Sequence, residues 1–221
     1  MKYIVKQTPP PIFLKYIRDN PTATYSMFRK GTRRYKETKR SLLEEQGYIC
    51  CYCGRRIYNN EESQIEHIFA KGTAAYKKLQ LDYEKNMVAC CDGGKKERSE
   101  GTINKEYLYC EAVKGDQILP INPLTIECER KFLFDENGGI IGVSKDAEVT
   151  IEMLNLTSPV ITNKRKAAIK YYIDYPVSDW NVEYARLSKK DCSGRFEEFC
   201  FVLQRYIETF HGRELKTTVC I

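Results

Sequence analysis

Cysteines at metal-ligand spacing are the most informative residues of this 221-residue sequence. Cys50 and Cys53 have two residues between them and precede Gly54, which is the spacing of a zinc-knuckle turn with a glycine at positive φ. Cys91 and Cys110 supply a second, irregular half, because nineteen positions separate them. Structural zinc binds four such ligands in a tetrahedron, so this set predicts a structural zinc site.

The register of this site is open, because two of its cysteines belong to adjacent pairs. Cys50 is preferred over Cys51, since only Cys50 leaves a two-residue gap to Cys53. The pair Cys90 and Cys91 is equally ambiguous, and any one of the four ligands could instead be a core thiol. Core positions are predicted for the remaining cysteines, Cys128, Cys192, Cys200 and Cys220.

A carboxylate and a histidine stand side by side between the two halves of the cysteine set. Glu66 suits a hard cation such as Mg²⁺ or Mn²⁺, and His67 titrates near neutral pH. Phosphodiester hydrolysis uses a metal to neutralise developing charge and a base to take a proton from the attacking water. A lone histidine on an apolar strand is more often structural, but these neighbours favour a cleavage centre. The other histidine, His211, is predicted to lie at the surface or to cap a helix.

Positive charge is concentrated in the first 48 residues. They contain eleven Lys or Arg against four Asp or Glu, a local charge of +7 compared with +6 for the whole chain. Such a surface would contact nucleic-acid phosphates and release counterions, although a solvated helix face gives the same pattern. The cations of the densest stretch are Arg29, Lys30, Arg33, Arg34, Lys36, Lys39 and Arg40.

The apolar runs of the sequence are short, which restricts the class of protein. No window approaches the roughly 20 apolar residues of a membrane-spanning helix, and the first residues do not read as a signal peptide. We therefore predict a cytosolic protein without membrane contact. Ten cysteines in a reducing compartment indicate metal ligands and core residues rather than disulfides. A thiol redox protein is disfavoured, because no cysteine pair lies in a βαβ context.

Periodicity places the chemistry-bearing residues on short elements. Before the third predicted zinc ligand, helical segments are predicted over 12–19, from about 25 or 32 to 46, and around 73–81. A β-like run is predicted over 64–69, and a short helix or turn over 86–89. Gly47 is predicted to stop the second helix. Residues 92–101 are polar and contain glycines, which predicts an exposed insertion between the third and fourth zinc ligands.

The C-terminal half shows three clear patterns. Residues 131–134 and 140–143 flank Asn137-Gly138 and predict a hairpin. Ser158 and Pro159 have the types that begin a helix, which we predict to run to about Tyr172. Apolar residues at three- and four-residue steps over 196–210 predict an amphipathic helix. We expect this helix to pack on the core, and packing on a partner subunit is the alternative.

The order of these motifs resembles that of HNH endonucleases with a ββα-metal core. Cys-x-x-Cys-Gly is followed by Glu-His, Asn, Cys and Cys-x-x-x-Lys. Further stretches are similar to the PtuB-type HNH nucleases of Septu and retron-associated anti-phage systems: 89–94, 114–116, 122–124, and 154–156 followed by Arg165. The resemblance covers about residues 30–170.

This resemblance implies an α+β fold in which a ββα-metal core with a four-cysteine zinc site is embedded in N- and C-terminal helical elaborations. The expected domains are an extended and basic helical region over 1–48, the zinc-bound nuclease core over 49–118, and a hairpin and helical region over 119–221. The implied zinc ligands are Cys50, Cys53, Cys91 and Cys110.

The resemblance also implies roles for individual residues. His67 matches the general base, Glu66 a ligand of the catalytic Mg²⁺ or Mn²⁺, and Asn86 the residue that positions the base or shares in the metal site. The third motif residue of the family is His or Asn, whereas this chain has Glu111 and Ala112 there. Glu111 could bind the same cation, so its role is open.

Kinship further implies a bacterial defence protein that is regulated by a PtuA-like ATPase subunit. The chain has no Walker motif of its own. DNA is the expected substrate, and RNA such as tRNA is the alternative. The competing hypothesis is a catalytically inactive, zinc-binding adaptor that joins nucleic acid to a partner, which the residue change at Glu111 supports.

Overall fold

A computed structural model describes residues 1–28, 31–70, 72–212 and residue 215 of the chain. Three of the residues discussed above, Arg29, Lys30 and Cys220, therefore lie outside the described residues. The described part combines helices with two small two-stranded sheets. None of its helices is both long and apolar enough to cross a membrane.

The N-terminal part is helical, and the second predicted helix begins at the later of its two predicted starts, because a separate short helix precedes it. Gly31 has φ +91°, and the side chain of Thr32 accepts a hydrogen bond from the Tyr35 N–H to cap a new helix. Gly47, at φ +62°, follows the end of that helix as predicted. The helices are α1 (Pro11–Asp19), α2 (Tyr25–Phe28) and α3 (Arg33–Glu45).

An antiparallel hairpin forms the centre of the molecule. Strand β1 (Ser63–His67) pairs with β2 (Met87–Cys91), so that Ser63 lies opposite Cys91 and His67 opposite Met87. A 3₁₀ helix (Ala74–Leu79) replaces the helix predicted around 73–81. The short helix α4 (Tyr83–Asn86) leads directly into β2.

The prediction of a helix or turn over 86–89 is wrong, because α4 ends at Asn86 and β2 begins at the next residue. All five residues of β2 are buried. A strand covered on both faces is a continuous apolar run, which periodicity alone does not distinguish from a helix segment. The Gln46 side chain accepts a hydrogen bond from the Ala89 N–H and donates one to the Ala89 carbonyl. These bonds give the backbone groups on the outer edge of the strand their partners.

The glycine-containing segment after β2 is only partly exposed, so the prediction of an exposed insertion over 92–101 is wrong for its first three residues. Asp92, Gly93 and Gly94 are buried. The Asp92 carboxylate accepts hydrogen bonds from the N–H groups of Gly94 and Lys96 and fixes the turn into the next helix. Helix α5 (Lys95–Ser99), a 3₁₀ turn (Lys105–Tyr107) and helix α6 (Glu111–Lys114) follow.

The C-terminal half confirms the predicted hairpin and adds two helices that were not predicted. After a 3₁₀ turn (Cys128–Lys131), the elements are β3 (Phe132–Phe134), β4 (Ile140–Gly142), α7 (Lys145–Met153), α8 (Pro159–Asp174), α9 (Trp180–Leu187) and α10 (Cys200–Phe210). The side chains of Ser144 and Asp179 cap α7 and α9. Helix α10 begins later than predicted, because the backbone of Phe199 adopts the left-handed conformation, with φ +59°.

The C-terminal part packs against the first cysteine turn. The N–H of Phe196 donates to the carbonyl of Gly47, and that of Phe199 donates to Gly54. The predicted apolar face of α10 is buried in the same core as β2 and the cysteines. This packing holds the turn at 50–54 from outside, so the C-terminal elements support the site.

Candidate metal centre and cleavage site

Four cysteines form one buried cluster, as the sequence predicts. The sulfur atoms of Cys50, Cys53, Cys91 and Cys110 all lie within 4.8 Å of one another, and the Sγ atoms of Cys53 and Cys91 are 3.9 Å apart. Cys51 and Cys90 are buried beside the cluster and do not belong to it. The structure therefore places Cys50 rather than Cys51, and Cys91 rather than Cys90, in the cluster.

A tight turn places the first two thiols. The Cys50 N–H donates to the carbonyl of Arg55, and the Gly54 N–H donates back to Cys50. Gly54 has φ +83°, as expected, and a Cβ there would lie 2.6 Å from the ring of Phe201. Glycine is thus required both by the turn and by the packing of α10 against it.

Gly93 closes the nineteen-position gap between the other two ligands. Its carbonyl accepts a hydrogen bond from the Tyr109 N–H, and a Cβ on Gly93 would lie 1.9 Å from the Tyr109 carbonyl oxygen. This close approach brings Cys110, the residue after Tyr109, beside Cys91. The glycines that the sequence assigned to an exposed loop are what makes the irregular half of the cluster possible.

Cys110 itself has a backbone conformation that costs free energy. Its φ is +52°, which is unusual for a residue with a side chain. The Cys110 N–H donates to the carbonyl of Leu154 at 2.8 Å, and the Asn155 side chain donates to the carbonyls of Glu106 and Leu108. The loop at 154–156 therefore holds the fourth ligand in place, a role that the sequence did not reveal.

The chemistry of this cluster fits zinc. Burial is the largest influence on the pKa of the Cys91 and Cys110 thiols and holds both well above the ordinary range. Such thiols become thiolates when a bound cation replaces their protons. Four sulfur ligands would fill the tetrahedral coordination of zinc and leave no position open, which matches a structural rather than a catalytic zinc site.

Two buried guanidinium groups lie near the cluster. Arg165 is 1% exposed, donates to the carbonyls of Gly138 and Leu156, and has its pKa lowered by burial to about 10. Arg55 donates to the Tyr109 hydroxyl. The charges of the cluster cysteines favour the protonated form of both arginines. A zinc tetrathiolate is negative, so these cations offset its charge.

His67 lies at the other end of the hairpin from the zinc ligands. Four positions of β1 separate it from the residue opposite Cys91, a distance of roughly 13 Å along the strand. Its ring nitrogen Nε2 is 2.9 Å from the carbonyl oxygen of Gln80, and its ring meets Tyr25 edge-on at 4.3 Å between centroids. Since a carbonyl only accepts, Nε2 carries the proton and Nδ1 is the basic nitrogen of the neutral ring.

Glu66 is buried and bonded within the protein. Its carboxylate is 2.8 Å from Nζ of Lys114, accepts a hydrogen bond from the Tyr52 hydroxyl, and accepts another from the backbone N–H of His67. Burial, the largest influence, raises the pKa of Glu66, and Lys114 opposes that shift. As it stands, this carboxylate is held by side-chain and backbone donors of the protein.

Asn86 is fully buried and joins β1 to the 3₁₀ helix. Its side-chain oxygen accepts from the Phe69 N–H at 2.6 Å, and its amide group donates to the carbonyls of Phe69 and Leu79. These bonds fix the chain shortly after His67 and just before Gln80. The contacts are those of a residue that positions its surroundings.

Glu111 is half-buried at the start of α6, one residue after the fourth zinc ligand, and pairs with Lys95. Its charge is near enough to raise the pKa of Glu66. Apart from the four cysteines, the described residues contain no cluster of three His, Cys, Asp or Glu side chains that could hold a metal ion. A divalent cation at Glu111 would thus take most of its ligands from water and substrate phosphate, as Mg²⁺ commonly does.

The basic segment divides into exposed and inward-facing cations. Arg33, Lys36 and Arg40 are exposed on α3. Arg34 packs its guanidinium over Tyr16 and donates to the carbonyls of Met27 and Phe28. Lys39 is a correction to the predicted basic face: it is 6% exposed, and its ammonium donates to the carbonyls of Asn60 and Ser63.

The cysteines and histidine outside the site are placed mostly as predicted. Cys128 and Cys200 are buried, whereas Cys192 is exposed in a polar turn, so its predicted core position is wrong. His211 is the C-cap residue of α10, and its ring stacks on Trp180 at 3.8 Å between centroids.

Together these features define a protein of mixed helices and small sheets with a four-cysteine cluster that could hold a metal ion, and with a buried histidine at the far end of the same hairpin. The chain is similar to a protein of Vibrio cholerae serotype O1 biovar El Tor that is described as a candidate HNH endonuclease of retron Vc95, with 32% identity over 136 residues. The alignment covers 58% of this chain and 61% of the relative, and no family model matches the chain. The similarity confirms the predicted resemblance to an HNH endonuclease in a retron context.

Proposed function

We propose that this chain is a metal-dependent HNH endonuclease of a bacterial defence system and that it hydrolyses phosphodiester bonds of DNA. The observation that carries the proposal is the arrangement along one hairpin. The four-cysteine cluster lies at one end of β1 and β2, and His67 lies at the other with its ring oriented by the Gln80 carbonyl. We interpret β1, β2 and α6 as the ββα unit of the family.

In the proposed reaction, His67 acts as general base. Its Nε2 donates to the Gln80 carbonyl, so Nδ1 accepts a proton from the attacking water. The water oxygen then forms a bond to phosphorus as the bond to the leaving oxygen breaks. A divalent cation, when bound, neutralises charge on the phosphate and the leaving oxygen.

The other residues hold this centre in place. Asn86 fixes the segments that carry His67 and Gln80, while Glu111 is the carboxylate available for Mg²⁺ or Mn²⁺. Glu66 is paired with Lys114, whose positive charge would oppose binding of a cation at the same carboxylate. The exposed cations Arg33, Lys36 and Arg40 steer the phosphate backbone towards the site.

A specific observation favours a second candidate, a zinc-binding adaptor without catalytic activity. Glu66 and His67 are 8% and 4% exposed, and the third motif position is Glu111 instead of His or Asn. An adaptor would retain the zinc cluster and the basic surface but would not cleave. In either case a PtuA-like ATPase is the proposed partner, on kinship alone.

The test is a cleavage assay on plasmid DNA and on total tRNA in parallel, with Mg²⁺ or Mn²⁺ and with and without the candidate ATPase. Cleavage of DNA that stops on addition of a chelator supports the proposed function. Cleavage of tRNA alone would change the substrate class. A protein that contains zinc and binds nucleic acid but cleaves neither substrate in any lane would contradict catalysis and support the adaptor.

A further inference from the structure

Lys114 is a buried cation at the point where helix α6 meets strand β1. Its side chain is 1% exposed, and its Nζ is 2.8 Å from Oε1 of Glu66 and 2.9 Å from the backbone oxygen of His67. The residue therefore contacts both members of the Glu-His pair. Nothing in the spacing of the sequence assigned it a role beyond a motif position.

The contacts of Lys114 connect the zinc centre to the proposed base. Helix α6 directly follows Cys110, whose carbonyl accepts the N–H of Lys114 at 3.0 Å. The lysine side chain then reaches the strand end that carries His67. A single helical turn thus joins the fourth zinc ligand to the backbone of the base, along the length of the hairpin.

We propose that Lys114 is a positioning residue that sets the location of His67 and transmits the rigidity of the zinc centre to it. The ammonium neutralises the buried carboxylate of Glu66 and donates to the His67 carbonyl, so the backbone of the base is fixed from the side of α6. The consequence for cleavage rests on the proposed function, whereas the effect on the position of His67 does not.

A purely structural ion pair would stabilise the fold without affecting the histidine. Two features favour the more specific role. The donation to the His67 carbonyl is separate from the ion pair with Glu66, so it persists as a constraint even where the charge on Glu66 is removed. The Tyr52 hydroxyl and the His67 N–H also bond the Glu66 carboxylate, so Lys114 completes a network centred on the backbone of the base.

The experiment compares Lys114→Met with Lys114→Arg and with Lys170→Met as the control. Lys170 also pairs with a carboxylate, that of Asp174, but both side chains are exposed on α8. The first readout is the imidazole NMR spectrum, which is simple because the chain has two histidines and His67→Ala assigns the signals. The second is kcat and KM for nucleic acid, with the zinc content measured in each protein.

For Lys114→Met we expect shifted His67 ring signals, an unchanged zinc content, an unchanged KM and a kcat lower by about a hundredfold, the loss typical of a misplaced catalytic group. Lys114→Arg should recover part of the kcat, and Lys170→Met should resemble the wild type. If Lys114→Met does not fold, the double variant Lys114→Met/Glu66→Gln leaves no unpaired buried charge, and comparison of its His67 signals with those of Glu66→Gln alone decides the question.

Unshifted His67 signals and a wild-type kcat in the folded variant would overturn the proposal. Loss of zinc in Lys114→Met would also overturn it, because the lysine would then be part of the zinc scaffold rather than a link from it. A wild-type chain without nuclease activity would contradict the proposed function, while displaced His67 signals would still support the positioning role.

Discussion

At the scale of single residues, most of the polar side chains in this centre act on the backbone around His67. Asn86 bonds Phe69 and Leu79, the Gln80 carbonyl orients the imidazole, and Lys114 holds the His67 carbonyl. Burial makes each of these bonds matter, since a buried polar group without a partner costs about 1–3 kcal/mol. We therefore expect small changes at these residues to affect the histidine strongly.

Replacement of Asn86 tests this expectation. Asn86→Ala removes the partners of the Phe69 N–H and carbonyl, and it removes one of two bonds to the Leu79 carbonyl, which also accepts from the Asp82 N–H. It should therefore lower the free energy of unfolding by about 2–4 kcal/mol. Asn59→Ala is the control, because Asn59 is exposed and makes one long bond to Lys36. Urea unfolding followed by circular dichroism measures both. Equal stabilities for the two variants would contradict a positioning role for Asn86.

At the scale of elements, the zinc ligands come from three segments that glycines and a loop bring together. The turn at 50–54 was predictable, because a two-residue gap followed by glycine has a specific local geometry. The close approach of Gly93 to Tyr109 and the loop at 154–156 were not, since they depend on contacts between distant parts of the chain. Sequence spacing therefore predicted which cysteines form the cluster better than it predicted the contacts that hold these cysteines in place.

The same distinction explains the other successes and errors. The Asn137-Gly138 turn between two short strand patterns predicted the hairpin of β3 and β4, whose contacts are local. Strand β2 was mistaken for a helix or turn because it is buried on both faces, and Lys39 was assigned to the basic face because its inward direction depends on β1. The order of motifs predicted the resemblance to HNH endonucleases, whereas the bonds of Glu66 needed the folded chain.

The packing at Gly93 gives a prediction at this scale. Gly93→Ala places a Cβ against the Tyr109 carbonyl and should displace Cys110, lower the midpoint of thermal unfolding and reduce the zinc content. Gly101→Ala is a matched control: its φ is also positive, +73°, but a Cβ there meets no atom within 4 Å, so it should cost only about 1 kcal/mol. Zinc content equal in the two variants would contradict the role of Gly93.

The adjacent cysteines offer a second prediction for the elements around the metal. Cys91→Ala should lose zinc and much of the stability, because metal binding supplies folding free energy at such sites. Cys90→Ala should retain one zinc per chain, since its thiol lies outside the cluster. Elemental analysis of the purified proteins measures the difference. Loss of zinc in Cys90→Ala but not in Cys91→Ala would reverse the register.

At the scale of the whole molecule, the exposed cations of α3 and the candidate cleavage site lie on different elements that pack against each other. The exposed cations of α3 lie on a helix whose other face covers β1 and β2. A phosphate backbone drawn to α3 would thus lie near the strand that carries His67. The C-terminal helices pack behind the first cysteine turn, which makes the centre a product of the whole chain rather than of the hairpin alone.

This arrangement predicts how salt affects binding of nucleic acid. Removing two phosphate contacts with Lys36→Gln and Arg40→Gln should reduce the slope of log K against log salt by about 0.9 per contact on duplex DNA. A control with Lys145→Gln and Lys170→Gln removes two exposed cations from the C-terminal half. Fluorescence anisotropy at several salt concentrations measures the slopes. An equal loss in the control would mean that net charge, not α3, determines binding.

The central claim is that His67 is the base of a nuclease built on a structural zinc site. The most direct measurement is single-turnover cleavage of DNA with Mg²⁺ or Mn²⁺ by the wild type, His67→Ala and His211→Ala, with zinc content determined for each. We expect His67→Ala to keep its zinc and fold but to lose cleavage, while His211→Ala cleaves like the wild type. Full cleavage by a folded, zinc-containing His67→Ala protein would contradict it.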